Sequence, residues 1–158
     1  KGVAQNMLAD ISDLLRTSLQ IDHSSLISLQ QELQLLNKYL AIEKQRFEHQ
    51  LVVSQHISEQ TTSALVLPFL LQPLVENAIK HGFVHLNRPL KIEIVTRLNE
   101  GQLCIEIRND GNPLQSQQLG VGLQNVKGRL QNAFGNRSSF DLVQEAQWVV
   151  NRITIVLE

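Results

Sequence analysis

Asn77, Lys80 and His81 stand at i, i+3 and i+4 within the run Leu67-Pro68-Phe69-Leu70-Leu71-Gln72-Pro73-Leu74-Val75-Glu76-Asn77-Ala78-Ile79-Lys80-His81-Gly82-Phe83-Val84. On a helix that spacing gathers an amide, an ammonium and an imidazole on one face. The amide carbonyl is a neutral oxygen ligand for a hard cation such as Mg²⁺, which keeps several waters and needs few side-chain oxygens. The ammonium and the imidazole can approach phosphate oxygens as donors. The same face would also serve as solvated surface, with Glu76 and Lys80 forming a helix pair.

Two later stretches bear on the same chemistry. Asn109-Asp110-Gly111-Asn112-Pro113 follows a strand-like run, and Asp-Gly is favoured in tight turns. Gly120-Val121-Gly122-Leu123 then opens a helical pattern with Leu123, Val126, Leu130 and Phe134 as its stripe. Glycines let a backbone approach a ligand, and a helix N-terminus offers unpaired N–H groups to anions. Gly120 would equally serve as a flexible helix entry. Arg129 lies off the stripe, to meet either a phosphate or a surface carboxylate. Between Pro113 and Gly120 lie the six residues 114–119, rich in Gln and Ser, which predict a small lid and an open phosphate end.

These residues need elements to hold them. Apolar positions 4, 7, 8, 11, 14, 15 and 19 predict an amphipathic helix over residues 3–19. A serine-rich break follows, with Asp22 or Ser25 available as a cap. A second helix is expected from 26 to about 48, with Leu29, Leu33, Leu36, Leu40 and Phe47 as its stripe. Ser28 and Glu32 fit a capping signal there. Residues 51–57 alternate as a strand. In the run quoted above, Leu71, Leu74, Val75 and Ala78 form the apolar back of a helix; Pro68 suits its first turn and Gly82 its end. Residues 90–98, with Leu90, Ile92, Ile94 and Thr96 on one side, should pair with 102–108 across the turn Asn99-Glu100-Gly101. After the last helix ends near Gly135, residues 138–143 and 148–157 read as two further strands. The order helix, helix, strand, helix, strand, strand, helix, strand, strand predicts an α+β sandwich: a mixed sheet with helices on one face.

Length and composition exclude several classes. The 158 residues suffice for one good-sized domain or a domain with a helical appendage. A net charge of −1 without a basic block gives no support for nucleic-acid binding. The single cysteine, Cys104, permits no internal disulfide and reads as a buried inert thiol. No apolar run is long enough to span a bilayer. The chain begins inside a helical pattern, as a piece of a longer protein would.

The motifs Leu-x-Pro-Leu-Val-Glu-Asn-Ala-Ile-Lys-His-Gly, Asn-Asp-Gly and Gly-Val-Gly-Leu-Gln-Asn-Val-Lys-Gly-Arg-Leu, in that order, resemble the N, G1 and G2 boxes of histidine-kinase ATP-binding domains. The runs 11–19, 29–33 and 39–47 are similar to the LytS-like sensor histidine kinases, so the resemblance covers essentially the whole chain. It implies a Bergerat-type fold binding ATP and Mg²⁺. Residues 1–48 would be part of a helical dimerisation region and 49–158 the ATP-binding domain. It places the metal ligand at Asn77, with Lys80 and His81 beside it as catalytic groups. It counts Asn109, Asp110, Gly111, Gly120, Gly122, Leu123 and Arg129 among the nucleotide contacts. It further implies the cytoplasmic part of a membrane sensor, anchored by segments absent here. That sensor would be a homodimer, with a response regulator, usually of LytTR type, as partner.

Three departures stand out. The box that reads adenine is usually Asp-x-Gly-x-Gly; aligned on Gly111, its Asp position is Asn109 and its second glycine is Pro113. Asp110 is the neighbouring alternative. The family's phosphoacceptor motif is missing, since His23, His49, His56 and His85 do not match it and His81 belongs to the N box. Related ATPases such as DNA gyrase carry a water-activating glutamate four residues before the metal-binding Asn, where this chain has Pro73. The resemblance therefore implies a kinase that transfers phosphate to a histidine elsewhere. A Bergerat ATPase module is disfavoured by Pro73. An interaction module without nucleotide binding stays open through Asn109 and Pro113.

Overall fold

Alternation and turn chemistry build the sheet. In the computed structural model, which describes residues 2–116 and 118–158, Leu90–Asn99 (β4) and Gln102–Asn109 (β5) pair antiparallel. Glu100 and Gly101 between them have φ of 51° and 76°, the left-handed pair that a two-residue hairpin turn requires. Trp148–Val156 (β7) adds antiparallel to β5, and Ser138–Glu145 (β6) closes that edge. Leu51–Ile57 (β2) runs parallel to β4 at the other edge, giving the order β2-β4-β5-β7-β6.

The two sheet faces have opposite chemistry. Ile92, Ile94, Ile105, Ile107, Ile153 and Ile155 are fully buried beneath the helices. On the other face Glu106 is enclosed by Arg97, Arg108 and Arg152 at 3.0, 2.7 and 2.6 Å. Burial alone would push the Glu106 carboxyl up. The hydrogen bonds from Arg108 and Arg152 outweigh it and hold the group below its ordinary value.

Three helices cover the apolar face: Leu29–Phe47 (α2), Gln72–Gly82 (α3) and Val121–Phe134 (α4). Helix α2 buries Leu29, Leu33, Leu36 and Leu40 in the common core. Its cap is Ser28, whose Oγ accepts Gln31 N while Gln31 Oε1 accepts Ser28 N. Asp22 instead holds Ser24 and Ser25 in the preceding turn, so the expected caps at 22 and 25 are corrected. Two short strands that alternation did not reveal, Ile27–Ser28 (β1) and Leu65–Val66 (β3), pair antiparallel and pin the start of α2. Gly2–Gln20 (α1) packs along α2 through Gln45–Asp10 and Lys38–Asp13 contacts, and none of its residues is buried. Among the described residues no helix is long and apolar enough to cross a membrane.

Helix α3 starts later than the periodicity predicts, at Gln72 with Pro73 in its first turn, and Pro68 lies outside it. The cause is tertiary. Phe69 has φ 54°, a left-handed conformation costly for a bulky residue. The Glu32 carboxylate holds it there, accepting Phe69 N at 2.8 Å on Oε1, and Leu70 N and Leu71 N at 2.7 and 2.9 Å on Oε2. Glu32 is thus no cap of its own helix; it is 1% exposed and turned into the core. From the other side Arg129 donates to Pro68 O and Phe69 O at 2.7 and 3.2 Å.

Candidate nucleotide-binding site

Helix α3 is amphipathic in the expected sense. Leu71 before it and Leu74, Val75 and Ala78 within it are fully buried. Asn77, Lys80 and His81, on another face, line one cavity of about 490 Å³, a size suited to a small-molecule ligand. Glu76 accepts from Gln72 Nε2 at 2.9 Å, in place of the expected pairing with Lys80, and does not line the cavity.

The end of β5 supplies the second wall. Asn109 lines the cavity, is 2% exposed, and its Oδ1 accepts Gly111 N at 3.1 Å. A carbonyl oxygen has two lone pairs, so one acceptor position remains for a ligand. Leu123, Leu142 and Val149 also line the cavity, and give it an apolar region alongside Asn109.

Polar groups line the same cavity. Gly120, the N-cap of α4, lines it together with Lys80 and His81. No side chain caps α4, and no acidic residue sits in its first turn, so its leading N–H groups are open to an anion. Leu114, Gln115, Ser116, Gln118 and Leu119 line the remaining side, where the lid was expected; Gln117 of that loop lies outside the described residues.

Four residues expected at the site are elsewhere. Asp110 faces away, its Oδ1 accepting Lys91 N at 2.9 Å and its Oδ2 paired with Arg88 at 3.2 Å. Asp110 and Gly111 line a neighbouring open groove instead. Gly111 packs on the end of α3: an added Cβ would come 2.2 Å from Gly82 O. Asn112 N donates to that same carbonyl at 3.0 Å, so Gly111 positions the site without lining it. Gly122 does not line the cavity. Arg129 uses its guanidinium on the 68–69 carbonyls and, among the described residues, pairs with no surface carboxylate. Cys104 is half-buried, not buried, with Arg97 Nη2 3.7 Å from its sulfur.

Sequence reasoning missed Leu142 and Val149 as part of the lining, and Glu32 as a support of α3. Alternation along 138–143 and 148–157 was the available signal for the first two. For Glu32 no local signal exists, because its partners lie 37–39 residues away.

The donor set fits Mg²⁺. Among the described residues no group of three His, Cys, Asp or Glu side chains could hold a metal by itself. One amide oxygen at Asn77, beside groups suited to phosphate, matches a cation that draws its other ligands from phosphate and water.

Known proteins share this fold. The histidine kinase family model matches residues 1–51. The catalytic domain of histidine kinase ThkA superposes with a TM-score of 0.62 to 0.63 at 15–16% identity, over 84% of this chain and 94–95% of that one. A complex of ThkA with the response regulator TrrA superposes with a TM-score of 0.61 at 15% identity, over 96% of this chain and 48% of that one. The fold is therefore that of a histidine-kinase catalytic domain, which is the Bergerat-type sandwich expected. The sensor protein LytS of Staphylococcus haemolyticus is 30% identical over 150 residues, 86% of this chain and 26% of the relative. The chain is similar to the LytS sensor proteins and spans about a quarter of the length of the curated relatives it matches.

Proposed function

We propose that this chain is the catalytic ATP-binding region of a sensor histidine kinase, which binds ATP with Mg²⁺ and transfers the γ-phosphoryl group to a histidine that is none of its own five. One observation carries the reading: Asn77, Lys80, His81, Asn109 and the uncapped start of α4 meet around a single cavity. Asn109 would accept the adenine amine beside Leu123, Leu142 and Val149. Lys80, His81 and the N–H groups after Gly120 would hold the phosphates, and Asn77 would hold the metal. Held at Asn77, the metal would supply neutralisation of the charge that develops on transfer.

No carboxylate of α3 lines the cavity to activate water, since Pro73 stands four residues before Asn77 and Glu76 is turned to Gln72. Phosphoryl transfer to histidine needs positioning and charge neutralisation rather than such a base. The sensor-protein relatives suit a membrane sensor as the parent, the ThkA–TrrA complex suits a response regulator as the recipient, and the sequence resemblance alone carries its LytTR type. Residues 1–48 and 49–158 divide by role, dimerisation against nucleotide binding. They do not divide by packing, because α2 shares the core. The apolar side chains left exposed on α1 support a homodimer: Leu8 is 66% and Leu15 60% exposed.

Labelled ATP tests the reaction. The chain with Mg²⁺ should place acid-labile label on a longer form of the protein that carries a phosphoacceptor histidine, none on itself, and release free phosphate slowly. Rapid phosphate release with no labelled protein would make it an ATPase. Label on this chain alone would contradict the missing acceptor.

A further inference from the structure

Glu32 is a buried carboxylate that forms no salt bridge among the described residues. Arg129, whose charge acts on Glu32, donates instead to carbonyl oxygens of the same loop. Burial pushes the Glu32 carboxyl up to about 7, against the pull of the Leu71, Phe69 and Leu70 N–H groups. For stability alone an uncharged cap would serve at lower desolvation cost. What the carboxylate provides is direction. The apolar back of α3 holds the helix against the core, but apolar contact is non-directional and leaves sliding along the axis weakly fixed. The three N–H groups held by Glu32 end at Leu71, the N-cap of α3, which has no side-chain cap of its own.

Resting on the nucleotide reading above, we propose that Glu32 is a positioning residue: from α2 it sets the axial register of α3, and so the placement of Asn77, Lys80 and His81 against the start of α4. One residue of helix rise is about 1.5 Å, and an error near 1 Å at a phosphate or metal contact can cost on the order of 100-fold in rate. Arg129 makes the loop a common anchor, because it belongs to α4, whose N-terminus forms the facing wall. The turn before α2 reaches the same loop, with His23 stacked on Phe69 at 5.4 Å between ring centroids. Asn109 is held on β5 by its sheet partners and meets α3 only at the far end, Gly82, so base recognition depends less on this anchor than metal-phosphate recognition does.

That difference supplies the test. ATP affinity of the whole chain is measured with Mg²⁺ and with a chelator, for wild type and Glu32→Gln. The amide keeps the side-chain shape but turns an NH₂ toward N–H groups. Glu32→Gln should bind metal-free ATP within about twofold of wild type and lose roughly tenfold of the Mg²⁺ enhancement. An unchanged enhancement, or an equal loss in both conditions, overturns the proposal. If the variant does not fold, wild-type hydrogen exchange decides. Coupling is reciprocal, so Mg·ATP should slow exchange at Phe69, Leu70 and Leu71 more than metal-free ATP does. Equal exchange there in the two conditions overturns the proposal. Wild type that binds no nucleotide overturns the nucleotide reading itself and this inference with it; wild type that binds beside an unaffected variant overturns the inference alone.

Discussion

On the proposed reading, Asn109 would take the position where the resembling family reads adenine with a carboxylate. Its Oδ1 already accepts Gly111 N and retains one lone pair for a ligand amine. Asn109→Asp should retain or tighten ATP binding, because a charged acceptor makes a bond roughly twice as strong as a neutral one. Asp110 opposes this little, since its carboxylate is turned to Arg88 and Lys91. Asn109→Leu removes the acceptor and should cost about 1–3 kcal/mol of ATP affinity and erase the preference for ATP over GTP. A competition titration with the two nucleotides checks both; preference lost on Asp110→Leu instead would move base reading to Asp110. Glu32 gives a pH signature. Its folded-state value is raised from 4.5 to about 7, so the folded chain binds this proton more tightly than the unfolded chain. That contribution to stability is complete below 4.5 and is lost as pH rises through about 7. Melting temperature should therefore fall over that interval, and Glu32→Gln should flatten the fall. Glu106 has the opposite sign: its lowered value gives stability above 4.5 that disappears as pH drops through it.

At the scale of elements, the site depends on a glycine-to-glycine contact between the end of α3 and the turn after β5. Gly111→Ala would drive Cβ to 2.2 Å from Gly82 O, against backbone that cannot yield as a side-chain end would. We expect a loss of about 1–3 kcal/mol of stability, together with weaker nucleotide binding, since Asn109 and α3 are displaced together. Denaturant unfolding with a parallel binding titration checks it; Gly120→Ala, whose added Cβ meets open space, is the control. The same scale shows what the sequence could reveal. The β4–β5 hairpin was legible because alternation and the Asn-Glu-Gly turn are local signals. The polar face of α3 was legible because i, i+3, i+4 spacing survives any context. The true start of α3 was not, because residues 68–71 are kept out of the helix by Glu32 and Arg129, 37 and 60 residues away in sequence for Phe69. Arg129 and Gly122 do not line the cavity, because a motif gives order along the chain and not which side chains turn inward.

For the whole molecule, α1 is the part that its own fold leaves unfinished. It buries no residue, and Leu8 and Leu15 lie on it largely exposed. Leu8→Ser with Leu15→Ser should lower self-association in sedimentation equilibrium and leave nucleotide affinity within about twofold, because α1 lines no part of the cavity. Unchanged association would place the dimer contact elsewhere. The nucleotide site is the central claim, and one calorimetric titration reaches it most directly. ATP is added to the chain with Mg²⁺ and with a chelator, and to Asn77→Ala under both conditions. Asn77 is on the polar face of α3, so its truncation opens no core cavity and the variant should melt cooperatively. The account predicts saturable binding by wild type, tightened by Mg²⁺, and an Asn77→Ala variant that binds ATP equally weakly with and without the metal. Absence of heat at saturating nucleotide, or a variant that keeps the full Mg²⁺ effect, would contradict it.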